Sequence, residues 1–188
     1  MLFPVTEGGY KIRNQSATHF LTFTVVSWID IFTRKVYRDM LLDSFKHCQQ
    51  HKGLLLHAWC VMSNHAHIIA TATNADLSAV IRDLKTFTSK SIVKAIENNP
   101  AESRKEWMLD LFKGQGNDNS RNKGHQFWKQ NNHPEELYSP AFIFQKLNYI
   151  HNNPVEAGIV DQPWEYLYSS ARDYHTGKKC GLIDISFL

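Results

Sequence analysis

Two histidines at the start of an apolar run are the first residues in this sequence whose spacing suggests chemistry. The stretch SNHAHIIA, residues 63–70, places His65 and His67 two apart. In a β-strand, side chains two residues apart point to the same face, so both imidazoles could bind one metal ion. Histidines at this spacing also occur by chance in ordinary hairpins, and this chain contains 10 histidines. The pair is therefore a candidate metal site that needs support from elsewhere in the chain.

A second candidate group lies in the segment FQKLNYIHNNPVEAG of the C-terminal half. In a helix, Tyr149 and Asn153 lie one turn apart on one face, and Lys146 precedes the tyrosine by three residues on that face. A tyrosine with the ordinary pKa of about 10 is a weak nucleophile at neutral pH. A nearby metal ion or ammonium group favours the reactive phenolate. A surface aromatic and a helix-terminal amide before Pro154 are the ordinary structural interpretations of the same residues.

Together, these side chains could carry out phosphodiester chemistry. A divalent cation held by the imidazoles of His65 and His67 and the amide oxygen of Asn153 keeps positions open for phosphate oxygens and water. Such an ion acts as a Lewis acid on a phosphodiester, and Tyr149 is a plausible nucleophile toward its phosphorus. The expected cofactor is a divalent metal, Mg²⁺ or Mn²⁺, and two imidazoles would also accept Zn²⁺ or Ni²⁺.

Hydrophobic patterns predict the elements that position these residues. Strands are predicted over 18–28, 54–62 and 65–72, with residues 63–64 as a hairpin turn. Helices are predicted over 34–53 and from the N-cap Asp76 to Pro100. The predicted apolar faces comprise Val36, Met40, Leu41, Ser44 and Phe45 in the first helix, and Leu77, Val80, Ile81, Leu84, Phe87 and Ile92 in the second.

The C-terminal half is predicted to begin with a polar insertion at about 101–124, followed by a fourth strand over 125–130. A helix is predicted from the N-cap Ser139, with Pro140 at its first position and Pro154 as its stop. This order predicts an α+β fold, a ferredoxin-like split βαββαβ sandwich with an antiparallel sheet. A C-terminal helix outside this unit carries the tyrosine.

Composition limits the class of protein. The chain has 188 residues, and its three scattered cysteines are typical of a protein in a reducing cytoplasm. Its net charge of +3 permits nucleic-acid binding without requiring it. No apolar run reaches the length of a membrane span, and the N-terminus lacks the pattern of a signal peptide. We expect a cytoplasmic protein with an arm at 1–17, a catalytic domain at 18–160 and a tail at 161–188.

Basic and aromatic residues suggest where nucleic acid would bind. Arg82 and Lys85 recur on the side of the second helix away from its apolar face. Cations interleaved with aromatic rings suit single strands, because bases stack on rings while ammonium groups follow phosphates. An ordinary solvated helix face and core aromatics are the alternative interpretations. The predicted DNA-binding residues are Arg82, Lys85, Lys123, Phe127, Trp128, Lys129 and Lys146.

Two of these segments resemble a known family. HAWCVMSNHAHIIA is similar to the His-hydrophobic-His motif of HUH endonucleases, and FQKLNYIHNNPVEAGIV with YLYSSARDYHTG resembles the C-terminal signature of REP-associated tyrosine transposases. These are related to the single-tyrosine transposases of the IS200-like superfamily. The resemblance covers residues 18–174, and the YIHNNPVEAG block is its most specific part.

The resemblance implies a metal-dependent single-stranded DNA endonuclease and strand transferase. Tyr149 matches the nucleophile that forms a 5′-phosphotyrosine intermediate, and His65, His67 and Asn153 match the metal ligands. The implied partner is a single-stranded DNA hairpin with an adjacent guide sequence, bound by a monomer or homodimer, and no membrane partner is expected. Two other functions fit the residues: a non-catalytic regulator that binds DNA hairpins, and a metal hydrolase of small phosphoesters in which Tyr149 plays no role.

Overall fold

The computed structural model describes residues 11–117, 124–179 and 181–188, and these form one antiparallel sheet flanked by helices. The strands lie in the order β2-β3-β1-β4. This order confirms the predicted α+β, split βαββαβ architecture. The strands are β1 (His19–Thr24), β2 (Leu54–Val61), β3 (His65–Ala72) and β4 (Glu135–Glu136), and the helices are α1 (Lys35–His51), α2 (Leu77–Asn98), α3 (Lys105–Asn117), α4 (Pro140–Glu156) and α5 (Ala171–Thr176).

The β2–β3 hairpin is fixed at its turn by the chain that follows β1. Residues 63–64 form the predicted turn, and Met62 N–H donates to the His65 carbonyl at 2.8 Å. The turn carbonyls also accept hydrogen bonds, Ser63 from Phe32 N–H at 2.8 Å and Asn64 from Val25 N–H at 3.0 Å. A buried turn carbonyl without such a donor would be costly. These bonds therefore hold the first residue of β3 against the end of β1.

The hydrophobic core follows the predicted helix faces with two exceptions. Asp76 caps α2 as predicted, because its carboxylate accepts from Ala79 N–H at 3.1 Å. Val36 is 48% exposed, and Tyr37 is fully buried in its place. Phe87 is 61% exposed, and its ring contacts that of His47 in α1 at a centroid distance of 6.4 Å. The remaining predicted positions are largely buried.

The segment after α2 differs from its prediction. Within the stretch predicted as a polar insertion, α3 occupies Lys105–Asn117 and buries Met108 and Phe112. The fourth strand is Glu135–Glu136 and not 125–130, where Trp128 forms only an isolated bridge with Val25. The prediction failed because this segment pairs with the chain after β1 only at that bridge, while Gln126 N–H donates to the Phe112 carbonyl of α3 at 2.8 Å instead of continuing a strand ladder.

Helix α4 begins as predicted and ends later. Ser139 caps it by accepting from Phe142 N–H at 3.3 Å, and Pro140 occupies its first turn. Pro154 lies inside the helix rather than ending it, because the chain closes its last turn through Ala157 N–H, which donates to the Asn153 carbonyl at 3.0 Å. The helix ends at Glu156, and Gly158 follows with a φ of 68°, where glycine avoids strain.

The C-terminal residues cover the outer edge of β2. Val61 N–H donates to the Tyr168 carbonyl at 2.9 Å, and Ser170 N–H donates to the Trp59 carbonyl at 2.9 Å. Ser186 N–H pairs in the same way with the Leu56 carbonyl at 2.9 Å. An uncovered edge strand would expose these groups to pairing with other chains. None of the helices in the described part of the chain is long and apolar enough to cross a membrane.

Candidate active site

The pairing of β1 with β3 determines which side chains surround the two histidines. In the antiparallel register Thr22 lies opposite His67, and Thr24 lies opposite His65. Opposite residues and those two apart share one face of the sheet, so both histidines and both threonines project together. The imidazole centroids lie 4.8 Å apart. The sequence prediction that the two rings share a strand face is confirmed.

His67 has one satisfied and one unsatisfied ring nitrogen. Its Nδ1 lies 2.9 Å from Thr22 Oγ1, and its ring stacks on Phe20 at 5.4 Å. Its Nε2 is buried and has no hydrogen-bond partner among residues 11–117, 124–179 and 181–188. Burial, assisted by the nearby charges of His65 and Lys146, lowers the pKa of His67 to about 3. His67 is therefore neutral at physiological pH, with a lone pair on one nitrogen.

The neighbours of His65 determine its tautomer. Asn64 Oδ1 lies 2.6 Å from His65 Nδ1, and an amide oxygen only accepts, so Nδ1 carries the hydrogen. Burial lowers the pKa of His65, and a hydrogen bond with Asn153 partly opposes this effect. Thus the side chain that the sequence predicted as a third ligand already contacts one of the two histidines.

Helix α4 brings Tyr149 to the same place. Its ring contacts His67 edge-on at a centroid distance of 5.2 Å and Phe20 at 5.8 Å, while 45% of the residue is exposed. The Lys146 ammonium lies 4.6 Å from the Phe20 centroid and 6.0 Å from that of Tyr149. Glu135 Oε1 binds this ammonium at 2.5 Å. A phenol open to solvent and next to an oriented cation is suited to attack a phosphorus atom.

The donor set fits a divalent cation. In the part of the chain that the structure describes, no three His, Cys, Asp or Glu side chains group as a metal centre, so any ion here would depend on an amide oxygen. The unpartnered His67 Nε2 is the observation in favour of a ligand, because a buried nitrogen without a partner costs free energy unless something binds it. The Thr22 and Asn64 contacts engage Nδ1 of each imidazole, as outer partners of metal-bound histidines do, so an ion here would bind through Nε2.

A cleft of about 400 Å³ contains these groups and adds residues that the sequence prediction missed. Trp28 and the pair Asn131 and His133 gave no signal in the sequence, because only the tertiary fold brings their loops beside β3. Thr22 and Thr24 could have been found from strand alternation, had the register of β1 against β3 been known. The lining residues are Thr22, Thr24, Trp28, His65, His67, Lys129, Asn131, His133, Tyr149 and Asn153.

The predicted DNA-binding residues divide into different environments. Lys129 lines the cleft, with its ammonium 4.1 Å from the Trp28 centroid. Phe127 and Trp128 are 1% and 5% exposed and pack against Phe32, so neither ring is accessible for a base to stack on. Their assignment to DNA binding is corrected here to a core role. Lys123 lies outside the described residues.

Arg82 and Lys85 line a second depression on α2, but only Arg82 is exposed. Lys85 Nζ points inward and donates to the Lys129 carbonyl at 2.7 Å and to Asn132 Oδ1 at 2.5 Å. Burial lowers the pKa of Lys85 to about 8. Lys85 therefore supports the loop at 129–132 rather than offering a free cation, which corrects its predicted surface role.

Comparisons with known proteins identify the family and agree with the fold. Residues 15–114 match the profile of the family described as "Transposase IS200 like". The structure resembles that of a REP-associated tyrosine transposase bound to a REP hairpin, with a TM-score of 0.64 and 18% sequence identity over 95% of this chain and 93% of that one. This likeness concerns the fold. No curated protein sequence matches the chain significantly.

Proposed function

The chain belongs to the IS200-like transposase family, a class of DNA-processing proteins, and on this premise we propose that it is a metal-dependent single-stranded DNA endonuclease and strand transferase. It would cut one strand beside a DNA hairpin and keep the downstream fragment attached through a 5′-phosphotyrosine. The observation that carries the proposal is the meeting of the Tyr149 ring with the His67 ring, at 5.2 Å, in a cleft that also contains His65 and Asn153.

The proposed reaction is a transesterification at phosphorus. Tyr149 Oη forms a bond to the phosphorus, and the bond from phosphorus to the 3′ oxygen of the upstream nucleotide breaks. The phenol loses a proton and the departing oxygen gains one, so the products are a 5′-phosphotyrosine and a free 3′-hydroxyl. Attack of another 3′-hydroxyl on the phosphotyrosine reverses these bonds and transfers the strand. No phosphoryl group is lost to water on this route.

Each residue of the cleft has a part in this proposal. His65, His67 and Asn153 would hold Mg²⁺ or Mn²⁺, which supplies Lewis-acid polarisation of the attacked phosphate when bound. Lys146, held by Glu135 near the tyrosine ring, stabilises the developing phenolate by its charge. Thr22 and Asn64 orient the two imidazoles through their Nδ1 atoms.

The proposed substrate is single-stranded DNA that carries a hairpin. The REP-associated tyrosine transposase of similar fold is bound to a REP hairpin. In this chain an exposed Arg82 and the cleft residue Lys129 are the cations proposed to contact phosphates. A regulator that binds hairpins without cutting them would have no use for an unpartnered histidine beside an exposed tyrosine, so we favour the enzyme.

A trapping experiment tests this proposal. Hairpin DNA labelled at either end is incubated with Mn²⁺ or Mg²⁺ and the wild-type chain, Tyr149→Phe or Tyr138→Phe. Tyr138 is the matched control, because it is 81% exposed just before α4 and does not line the cleft. We expect a covalent adduct with the 5′ end of the downstream fragment in the wild type and in Tyr138→Phe, and none in Tyr149→Phe. An undiminished adduct in Tyr149→Phe would overturn the proposal.

A further inference from the structure

Trp28 is an exposed aromatic residue in an unusual backbone conformation. Ser27 and Trp28 have φ values of 53° and 56°, in the left-handed region that residues other than glycine seldom occupy. Such residues persist where their surroundings hold them and cluster at functional sites. Here Val26 N–H donates to the Phe127 carbonyl at 2.9 Å, and Val26 and Ile29 on either side are buried. The fold therefore holds outward a tryptophan that is 57% exposed.

The indole lies inside the candidate active site and not on an unrelated surface. It lines the same cleft as Tyr149 and Asn153, and its ring meets that of His65 edge-on at 6.4 Å. Asn64 Nδ2, from the residue that orients His65, donates to the Trp28 carbonyl at 3.4 Å. A group bound on this ring would therefore lie beside whatever the two histidines bind.

Lys129 places a cation beside the ring. Its ammonium lies 4.1 Å from the Trp28 centroid, a cation–π contact. Its backbone is held on both sides, because Lys129 N–H donates to the Thr24 carbonyl at 2.8 Å and its own carbonyl accepts from Lys85. An ammonium beside an exposed indole, on a residue whose backbone is held, matches the chemistry of single-strand binding, in which bases stack and phosphates pair with cations.

We propose that Trp28 is a stacking platform for one unpaired base next to the phosphate that Tyr149 attacks, and that Lys129 holds the phosphate of that nucleotide. This inference rests on the proposed function, since it assumes that single-stranded DNA enters the cleft. Every base has a π-face, so the platform adds affinity and positions the strand without selecting a sequence. Selection of the cutting site then depends on contacts elsewhere.

The test measures binding and not cleavage. Hairpins with unpaired oligo(dT) arms and a fluorescent label are bound to the full chain carrying Tyr149→Phe, and one abasic site is moved along the arm. Adding Trp28→Ala is expected to weaken binding of the intact strand by about 5- to 150-fold, the value of one stacked base. An abasic site at the stacked position should weaken binding to the Tyr149→Phe chain by a similar factor and have no added effect with Trp28→Ala.

Three controls complete the design. Trp28→Phe keeps an aromatic face and should retain most of the affinity, which separates stacking from a folding defect. Trp164→Ala removes another partly exposed tryptophan, one stacked on His175 outside the cleft, and should not change binding. Lys129→Gln should lower the slope of log affinity against log salt by about 0.7, the value for one phosphate contact on a single strand.

The outcomes separate this inference from the proposed function. The platform is overturned if the Tyr149→Phe chain binds intact and abasic strands with equal affinity and the added Trp28→Ala does not change that affinity. This conclusion would hold even if the wild type cuts DNA. Binding that depends on Trp28, with no covalent adduct in the wild type, would overturn the nicking function and leave the platform standing.

Discussion

Two regions of this molecule contain buried histidines, and the hydrogen bonds of their ring nitrogens differ. On the tail side of β2, His57 has both nitrogens within hydrogen-bond distance of a partner, the Ser186 carbonyl at 2.7 Å and Thr71 Oγ1 at 2.9 Å. His151 Nε2 lies 2.9 Å from Ser170 Oγ. In the cleft, His67 Nε2 has no partner in the described residues. Burial lowers the pKa in all three, so a lowered pKa does not distinguish His67 from the two histidines on the tail side, whereas its unsatisfied nitrogen does.

The largest expected contrast comes from replacing one histidine of each region by leucine. His67→Leu should reduce Mn²⁺ affinity by at least about 100-fold, because it removes a proposed ligand and not only an outer partner. In EDTA it should lower the free energy of unfolding by less than His151→Leu does, since loss of the bond to Thr22 is offset by removal of a buried unsatisfied nitrogen.

His151→Leu is the matched control and should behave in the opposite way. It removes a hydrogen bond between buried groups, so the free energy of unfolding should fall by about 1–3 kcal/mol while Mn²⁺ affinity is retained. Calorimetric metal titration and urea denaturation measure the two quantities. Equal metal affinities of the two variants would remove the distinction between the regions.

Thr22→Val tests whether the cleft histidine is oriented from its other nitrogen. The substitution keeps the shape of the side chain and removes the Oγ1 that lies 2.9 Å from His67 Nδ1. Metal affinity should fall by about 10- to 100-fold. Thr24→Val, on the same strand face but opposite His65, is the control and should have a smaller effect, because His65 is oriented by Asn64. A full retention of affinity in Thr22→Val would contradict the proposed orientation.

Acid should destabilise the protein through its buried neutral histidines. The pKa of His151 is lowered to about 4 by burial, against about 6.5 in the unfolded chain, so protons bind the unfolded state first as pH falls. The stabilising effect is complete above about pH 6.5 and is lost progressively toward pH 4. Between pH 7 and pH 5 this histidine alone should remove about 2 kcal/mol of unfolding free energy.

Urea denaturation in EDTA at the two pH values measures this loss. His151→Gln, whose amide can still hydrogen-bond to Ser170, should show a smaller difference between pH 7 and pH 5 than the wild type. The same difference in both chains would show that His151 does not contribute to the pH dependence.

The smallest expected effect compares two cations on α2 that had the same predicted role. Lys85→Met should lower the free energy of unfolding by about 1–2 kcal/mol, because the Lys129 carbonyl and Asn132 lose their donor. Arg82→Met, at an exposed position, should change it by less than about 0.5 kcal/mol. Thermal denaturation measures both stability changes. Equal stabilities of the two variants would show that Lys85 has no structural role and would favour the predicted surface role.

Local patterns predicted the parts of the site that depend on local geometry. Strand alternation places His65 and His67 on one face, and helical spacing places Tyr149 and Asn153 one turn apart, whatever the rest of the chain does. The wrong assignments of DNA-binding residues concern contacts between distant segments. Lys85 turns inward because residues 129–132 pack over it, and Phe127 and Trp128 are buried by α3 and the chain after β1.

The position of Trp28 also depends on contacts between distant segments, and here the sequence prediction missed a candidate site residue. Its sequence context continues the β-like pattern of 18–28, which predicts a strand residue. The backbone instead turns into the left-handed region there, because Val26 and Ile29 are buried and the Phe127 backbone binds Val26. An exposed aromatic held at a site is visible only once these tertiary contacts are known.

The most direct test of the central claim is to identify the residue that carries the DNA. Hairpin DNA is incubated with the wild-type chain and Mn²⁺, the adduct is digested with trypsin and nuclease, and the modified peptide is sequenced by mass spectrometry. The account predicts a nucleotide phosphate on Tyr149 and its absence when EDTA replaces the metal. A phosphate on Tyr138 or Tyr168, or an adduct that forms equally well in EDTA, would contradict it.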